Sequence, residues 1–215
     1  MTKLRNLVAE VDAALDIYLA GRTGRQFNKV AFILADDCCE LTSKLYLITQ
    51  NPGWSDAQGN GRFKSFKTVT SEVLAALPAA ATILARIEAR RVRRNGFFHS
   101  ADLLDLTLQS HDVNDAMRDV LDYGALLFGQ DWTDEVTGTG NMETAEVILR
   151  LDCAARADPR ISPKVSDVFA KRKRTEKQKA KGCEVTHHPE DHHLRLAIRN
   201  GGKELRDQLA ALLPP

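Results

Sequence analysis

Arg90-Arg91-Val92-Arg93-Arg94-Asn95-Gly96-Phe97-Phe98-His99 closes a long Ala/Leu-rich stretch, and its reading decides how the chain is organised. Just upstream, Ile83, Leu84, Ile87 and Val92 recur at helical spacing. Asn95-Gly96 has the chemistry of a helix end, because Asn and Gly tolerate the left-handed backbone of a C-terminal cap. The stretch is read as a helix that finishes in four arginines and breaks at Asn95-Gly96, with two phenylalanines and one histidine beyond the break.

Working outward, the same periodicity predicts helices on both sides. Leu4, Leu7, Val8, Val11, Ala14, Leu15 and Tyr18 mark a first helix ended by Gly21-Arg22-Thr23-Gly24. Val30, Ile33, Leu34, Leu41, Leu45 and Ile48 mark a second, from about Phe27 to Thr49, stopped by Asn51-Pro52-Gly53. Trp54 to Phe66 reads as a long surface loop. The third helix is expected to start near Thr68 or Thr70, with Pro78 either kinking it or opening a new first turn. Leu104, Leu106 and Leu108 suggest a short extended piece or one more helical turn. Asp112 is the expected cap of a fourth helix with Val113, Ala116, Met117, Val120, Leu121, Leu127 and Phe128 on its apolar face, ended by Gly129.

The first part of the chain therefore reads as four antiparallel helices, with Arg94-Asn95-x-x-x-His99 between the third and fourth. This pattern and layout resemble the HEPN-domain ribonucleases, whose signature is an arginine, a polar residue such as asparagine, and a histidine after four to six positions. The resemblance covers residues 1 to 132 and is strongest at 94–99. It implies an all-α antiparallel bundle in residues 1–132, with residues 133–215 a mainly helical C-terminal extension of unassigned role. It also implies a metal-independent endoribonuclease acting as a homodimer on RNA, in phage defence or as a toxin, with an antitoxin or other regulatory protein as a further partner. A non-catalytic HEPN module that binds RNA, a nucleotide or a protein partner is the alternative, and a purely structural helical adaptor is a third class.

The candidate catalytic residues are Arg94, Asn95 and His99. Cleavage of RNA without a metal needs a proton acceptor near the ribose 2′-OH, a donor for the leaving 5′-oxygen and positive charge on the phosphate. Histidine exchanges protons near neutral pH, and a guanidinium grips two phosphate oxygens at once. Asn95 could orient His99 or hold the turn. The plainer reading of the same residues is a helix C-terminus bearing favourable cations. Arg93 also fits the spacing to His99 and is carried as a supporting residue. Asp37, judged nearer the apolar face than Asp36, is the second supporting residue, as an acid able to hold the arginine or histidine in place. One histidine in the motif leaves either the acid or the base role empty, and a two-fold dimer would fill it from the partner.

Arg90, Arg91, Lys171, Arg172, Lys173 and Arg174 are the candidate RNA-backbone contacts. The run from Lys171 to Lys181 lacks interleaved aromatics, so base stacking there is unsupported, and a solvated helix is its plainer reading. His187, His188, His192 and His193 with Cys183 lie around a proline and two acids, which suggests a loop rather than a zinc site with paired ligands. No metal or cofactor is expected.

The remainder of the chain is read as a Gly/Thr-rich linker from Thr133 to Asn141, a helix from Glu143 to Ala157, another from Ser162-Pro163 into the basic run, a turn at Asn200-Gly201-Gly202, and a final helix from Lys203 to Leu213. A net charge of +1 rules out a generally cationic protein, so any polyanion binding must come from local patches. No apolar run is long enough to cross a bilayer. The N-terminal Met1-Thr2-Lys3-Leu4-Arg5 enters an amphipathic, acid-containing pattern rather than a secretory signal, which reads as cytoplasmic. In that compartment Cys38, Cys39, Cys153 and Cys183 are expected as reduced thiols.

Overall fold

The structure is a computed structural model that describes residues 2–20, 25–59, 61–99, 108, 110–136, 140–177 and 192–213. Among these residues it is all-α: nine α-helices and one 3-10 turn, with no sheet. The helices are α1 (Thr2–Ala20), α2 (Arg25–Gln50), α3 (Phe66–Ala76), α4 (Ala81–His99), α5 (Ser110–Phe128), α6 (Gln130–Val136), α7 (Gly140–Ala157), α8 (Ile161–Lys177) and α9 (His192–Ala210). None of them is long and apolar enough to cross a membrane.

The central element is α2, which packs most extensively on α5 and α1 and also touches α3 and α4. Much of its middle is buried, so it carries polar groups that must find partners inside the protein. Thr42 and Ser43 donate back to the carbonyls of Cys38 and Cys39 at 2.7 and 2.9 Å, and Ser43 also meets the Tyr123 hydroxyl of α5 at 2.9 Å. Cys38, Cys39 and Cys153 are free thiols. Burial pushes the Cys38 thiol up to about 12 and raises Cys39 as well, so neither forms the reactive thiolate at neutral pH.

Residues 51–59 and 61–65 lie in the expected surface loop, and it is tied down. Lys64 N–H donates to the Asp56 carbonyl at 2.7 Å and Gln58 N–H to the Arg62 carbonyl at 2.7 Å, around Gly61 at φ 76°. Trp54 Nε1 and Lys64 Nζ both reach Glu72 of α3, at 2.5 and 2.9 Å, and Asp56 takes Lys44 of α2 at 2.9 Å.

Among the first five helices, three boundaries differ from the sequence reading. The third helix starts earlier than Thr68 or Thr70, because Ser65 supplies the cap: its hydroxyl accepts from the Thr68 N–H at 3.2 Å. Of the two alternatives read at Pro78, the structure takes the new first turn: Pro78 opens the 3-10 turn Pro78–Ala80, after which α4 begins. The expected break at Asn95-Gly96 is absent, and α4 runs through to His99. Gly96 does not take a positive φ, unlike Gly61, Gly129 and Gly202. A glycine inside a helix costs about 1 kcal/mol relative to alanine, and Phe97 offsets that cost by burying its ring edge-on against Phe32 of α2, with centroids 5.8 Å apart. The third difference is at α5, which begins at Ser110 and places Asp112 in its first turn rather than at the cap. The end of α5 is as read: Gly129 turns left-handed at φ 56° and its N–H bonds the Ala125 carbonyl at 2.9 Å.

The Gly/Thr-rich linker expected over Thr133–Asn141 is helical at both ends. α6 includes Thr133–Val136 because Trp132 and Val136 bury themselves, and α7 opens at Gly140; residues 137–139 lie outside the described residues. The 132/133 boundary thus falls inside α6. Ile148 and Leu151 of α7, Val165 of α8 and Ile198 and Leu205 of α9 join the same apolar core as Leu15 and Phe32. Arg195 of α9 is only 1% exposed. Its guanidinium donates to the Tyr18 carbonyl at 3.2 Å and to Asn28 Oδ1 at 3.1 Å, and lies 4.4 Å from the Tyr18 ring centroid. The turn expected at Asn200-Gly201-Gly202 is a kink in α9 at Gly202, φ 69°. Leu104 and Leu106 of the proposed extended piece lie outside the described residues, and Leu108 is buried.

Candidate functional site

α4 carries arginines on two faces, and each face meets acids on a different neighbour. Toward α2, Arg91 and Arg94 are one helical turn apart and point at Asp36, Asp37 and Glu40. Arg91 lies 3.3 Å from Asp36 Oδ2 and donates to Glu40 Oε2 at 2.5 Å. Arg94 donates to Asp37 Oδ1 at 3.0 Å, and its Nε is 3.5 Å from Asp36 Oδ2. Toward α5, Arg86 and Arg90 converge on Asp119, Arg86 with a nitrogen 2.6 Å from Oδ1, and Arg93 reaches Asp112 at 2.8 Å. The cluster is thus a set of ion pairs that clamps α4 between α2 and α5.

The two clusters differ in burial. The Asp119 side chain is 1% exposed, so its charge has no water to fall back on and depends on the two arginines. Asp37 is nearly half exposed, and Arg94 beside it about one-fifth. Asp36 is buried, and burial raises its carboxyl above the usual range even though Arg91 and Arg94 pull it down; Asp37 and Glu40 add to the rise. Glu40 is also part-buried, but hydrogen bonds from Lys44 and Arg91 outweigh that burial and hold it below the usual range.

The structure brings Arg94, Asn95 and Asp37 together: Arg94 Nη1 is 3.4 Å from Asn95 Oδ1, a weak contact, while the Asp37 bond is short. Arg93 faces α5 instead, on Asp112. Arg90 and Arg91 are engaged by Asp119 and by Asp36 and Glu40, which leaves them about one-fifth exposed. His99 is the last residue of α4, and its side chain lies outside the described residues. Lys171, Arg172, Lys173 and Arg174 fall in α8, with side chains likewise outside them, as are Cys183, His187 and His188. His192 and His193 open α9 rather than lying in a loop, and their side chains are not among those described. No group of acids, cysteines and histidines among the described residues is arranged to hold a metal ion.

Two residues of this constellation escaped the sequence reading. Asp36, not Asp37, is the one on the apolar face. The signal was present, since Phe32, Ala35, Asp36 and Cys39 follow i, i+3, i+4, i+7, and all four are buried. Asp119 sits between the buried Met117 and Val120 on α5, where only the arginines of another helix explain a carboxylate.

Comparison of the chain with protein-family profiles, with curated proteins and with solved structures found no match. The likeness to HEPN ribonucleases therefore rests on the motif and on the helical layout alone.

Proposed function

We propose that this protein is a metal-independent endoribonuclease of HEPN type, acting as a homodimer in defence or as a toxin. The observation that carries the reading is the seating of Arg94. The motif arginine projects from the end of α4 onto Asp37 of the facing helix, with Asn95 adjacent and His99 closing the same helix. An acid at 3.0 Å fixes the direction of a guanidinium without burying it, which is the preorganisation a phosphate-binding group needs.

The helical register supports a site shared between two chains. At about 100° per residue, position 99 lies about 140° around α4 from position 94, so one helix does not present both from the same face. Position 99 instead continues the line of Ala85, Ala89, Val92 and Gly96, a smooth strip on which Val92 is 74% exposed. A two-fold contact centred on the end of α4, where the strip and the Arg94 face both finish, would bring the two His99 positions together and give the reaction its second histidine. One His99 accepts the 2′-OH proton as the 2′-oxygen attacks the adjacent phosphorus. The other donates a proton to the departing 5′-oxygen, leaving a 2′,3′-cyclic phosphate and a 5′-hydroxyl. Arg94 stabilises the charge that builds on the phosphoryl oxygens. The Asp37 carboxylate gives way to phosphate at that moment, since both accept from the same guanidinium.

The test is end-group analysis of RNA incubated with the purified chain in EDTA. Cleavage leaving 2′,3′-cyclic phosphate ends supports the reading. Intact RNA together with saturable RNA or nucleotide binding would favour a non-catalytic binding module instead.

A further inference from the structure

Helices α5 and α7 lie side by side in opposite directions: Arg156, near the end of α7, reaches Asp115, near the start of α5, at 2.7 Å. Where they diverge, α6 closes one end of the gap and leaves an open groove of about 600 Å³. Its walls are mainly apolar, supplied by Leu121, Trp132, Val136, Met142 and Leu149. This size and character lie in the range of small-molecule sites, in which an apolar body is enclosed and a few polar groups set its orientation.

The wall formed by α6 is fixed in place. The Trp132 indole lies directly on the bare backbone of Gly124, where an added Cβ would meet ring atoms at 2.4 Å. The same indole stacks on Phe128, with centroids 6.4 Å apart and planes 16° from parallel. The groove is therefore formed before any ligand arrives, which removes the ordering cost of binding.

Charge selects the ligand. Five charged side chains line the groove: Arg118, Asp122, Glu143, Glu146 and Arg150. Arg118 is paired with Asp115 at 2.7 Å, Glu143 with Arg206 at 2.9 Å, and Arg150 sits 4.0 Å from Glu146. Asp122 is the one of the five that makes no ion pair among the described residues. Arg118 and Arg86 act on it only at longer range, and burial keeps its carboxyl above the usual range in spite of them. The groove thus joins an apolar floor to one uncompensated carboxylate at its edge.

We propose that this groove binds a small amphiphilic amine, with an aliphatic or aromatic body on the Trp132–Met142–Leu149 floor and a protonated nitrogen at Asp122. An anionic amphiphile is disfavoured, because Asp122 would face it and Arg118 is already held by Asp115.

Calorimetric titration of the full chain with n-decylamine and with decanoate, each below its micelle-forming concentration at neutral pH, tests the assignment. The expected result is saturable one-to-one binding of decylamine and much weaker binding of decanoate. Asp122→Asn keeps the shape and removes the charge, and is expected to weaken decylamine roughly three- to ten-fold. Ala125→Trp, on the exposed lip of the groove, fills the space and is expected to abolish binding. Circular dichroism confirms that both variants keep their helices. Decanoate binding as tightly as decylamine, unchanged decylamine affinity in Asp122→Asn, unchanged affinity in Ala125→Trp or the absence of saturable decylamine binding would each overturn the proposal.

Discussion

Replacing Asp119 by alanine should destabilise the fold far more than replacing Asp37, although each acid holds arginines of α4. Asp119 is 1% exposed and sits under Arg86 and Arg90, whose side chains are about half and one-fifth exposed. Removing the acid leaves Arg90 facing a buried gap, next to a second cation. Burial already lowers its tendency to hold a proton, as does Arg86 to a lesser degree. Breaking a fully buried pair costs about 3–5 kcal/mol. Because Arg86 can turn to solvent, about 2–4 kcal/mol is the appropriate range for Asp119→Ala. Asp37 is nearly half exposed and its partner Arg94 still has Asp36 within 3.5 Å, so Asp37→Ala should cost at most about 1 kcal/mol. Urea denaturation followed by circular dichroism at pH 7 measures both, with equal m-values as the check that the transition is unchanged. RNA cleavage is then compared under conditions where each variant is folded. Asp37→Ala should lower the cleavage rate by loosening Arg94, while folded Asp119→Ala should cleave nearly as well as wild type. Equal stability losses in the two variants would refute the division of α4 into a structural face and a site face. So would a loss below about 1 kcal/mol for Asp119→Ala.

Three further outcomes follow from other parts of the structure. Gly124→Ala puts a methyl against the Trp132 ring and should cost about 1–3 kcal/mol, with a shifted indole fluorescence; no change in denaturation midpoint would mean that α6 is not seated as described. Asp36 has a raised carboxyl in the folded state, so its contribution to stability is present at low pH and is lost as pH rises through that raised value. The stability of wild type relative to Asp36→Asn should therefore fall as pH rises above the usual carboxylate range, and a difference that grows with rising pH would reverse the sign. Changing Lys171, Arg172, Lys173 and Arg174 to glutamine should weaken RNA binding and reduce its log–log salt slope by up to about 3, with little change in cleavage at saturating RNA; an unaltered slope would make the run a solvated helix only.

The main helices were legible because their apolar spacing is regular. Val11, Leu15 and Tyr18 of α1 and Val113, Met117 and Val120 of α5 fall where a 3.6-residue period puts them, and all are buried. Gly129 was legible as a helix end because no side chain competes with its left-handed turn. Gly96 was misread for the opposite reason: its local preference for a cap is overridden by Phe97, whose partner Phe32 is 65 positions away in sequence. The same holds for α6, where Thr133 reads as linker until Trp132 is seen lying on Gly124. At the site, the arginines of α4 were legible as a cluster, but their division between two neighbours was not. That division depends on the rotation of α4 between α2 and α5, which no local pattern encodes. Nor does periodicity predict Arg195, a cation buried among Tyr18 and Asn28 by the docking of α9.

The central claim is that Arg94 and His99 cut RNA together at a site shared by two chains. Single-turnover cleavage in EDTA tests it most directly, using wild type, His99→Ala, Arg94→Ala and an equimolar mixture of the two variants refolded together. The account predicts that each variant alone loses cleavage by at least about a hundred-fold while keeping its helical circular dichroism, and that the mixture stays as inactive as its parents, because every dimer in it lacks either the second His99 or Arg94 altogether. Full activity in a correctly folded His99→Ala or Arg94→Ala chain, or undiminished cleavage by a chain that light scattering shows to be monomeric, would contradict it.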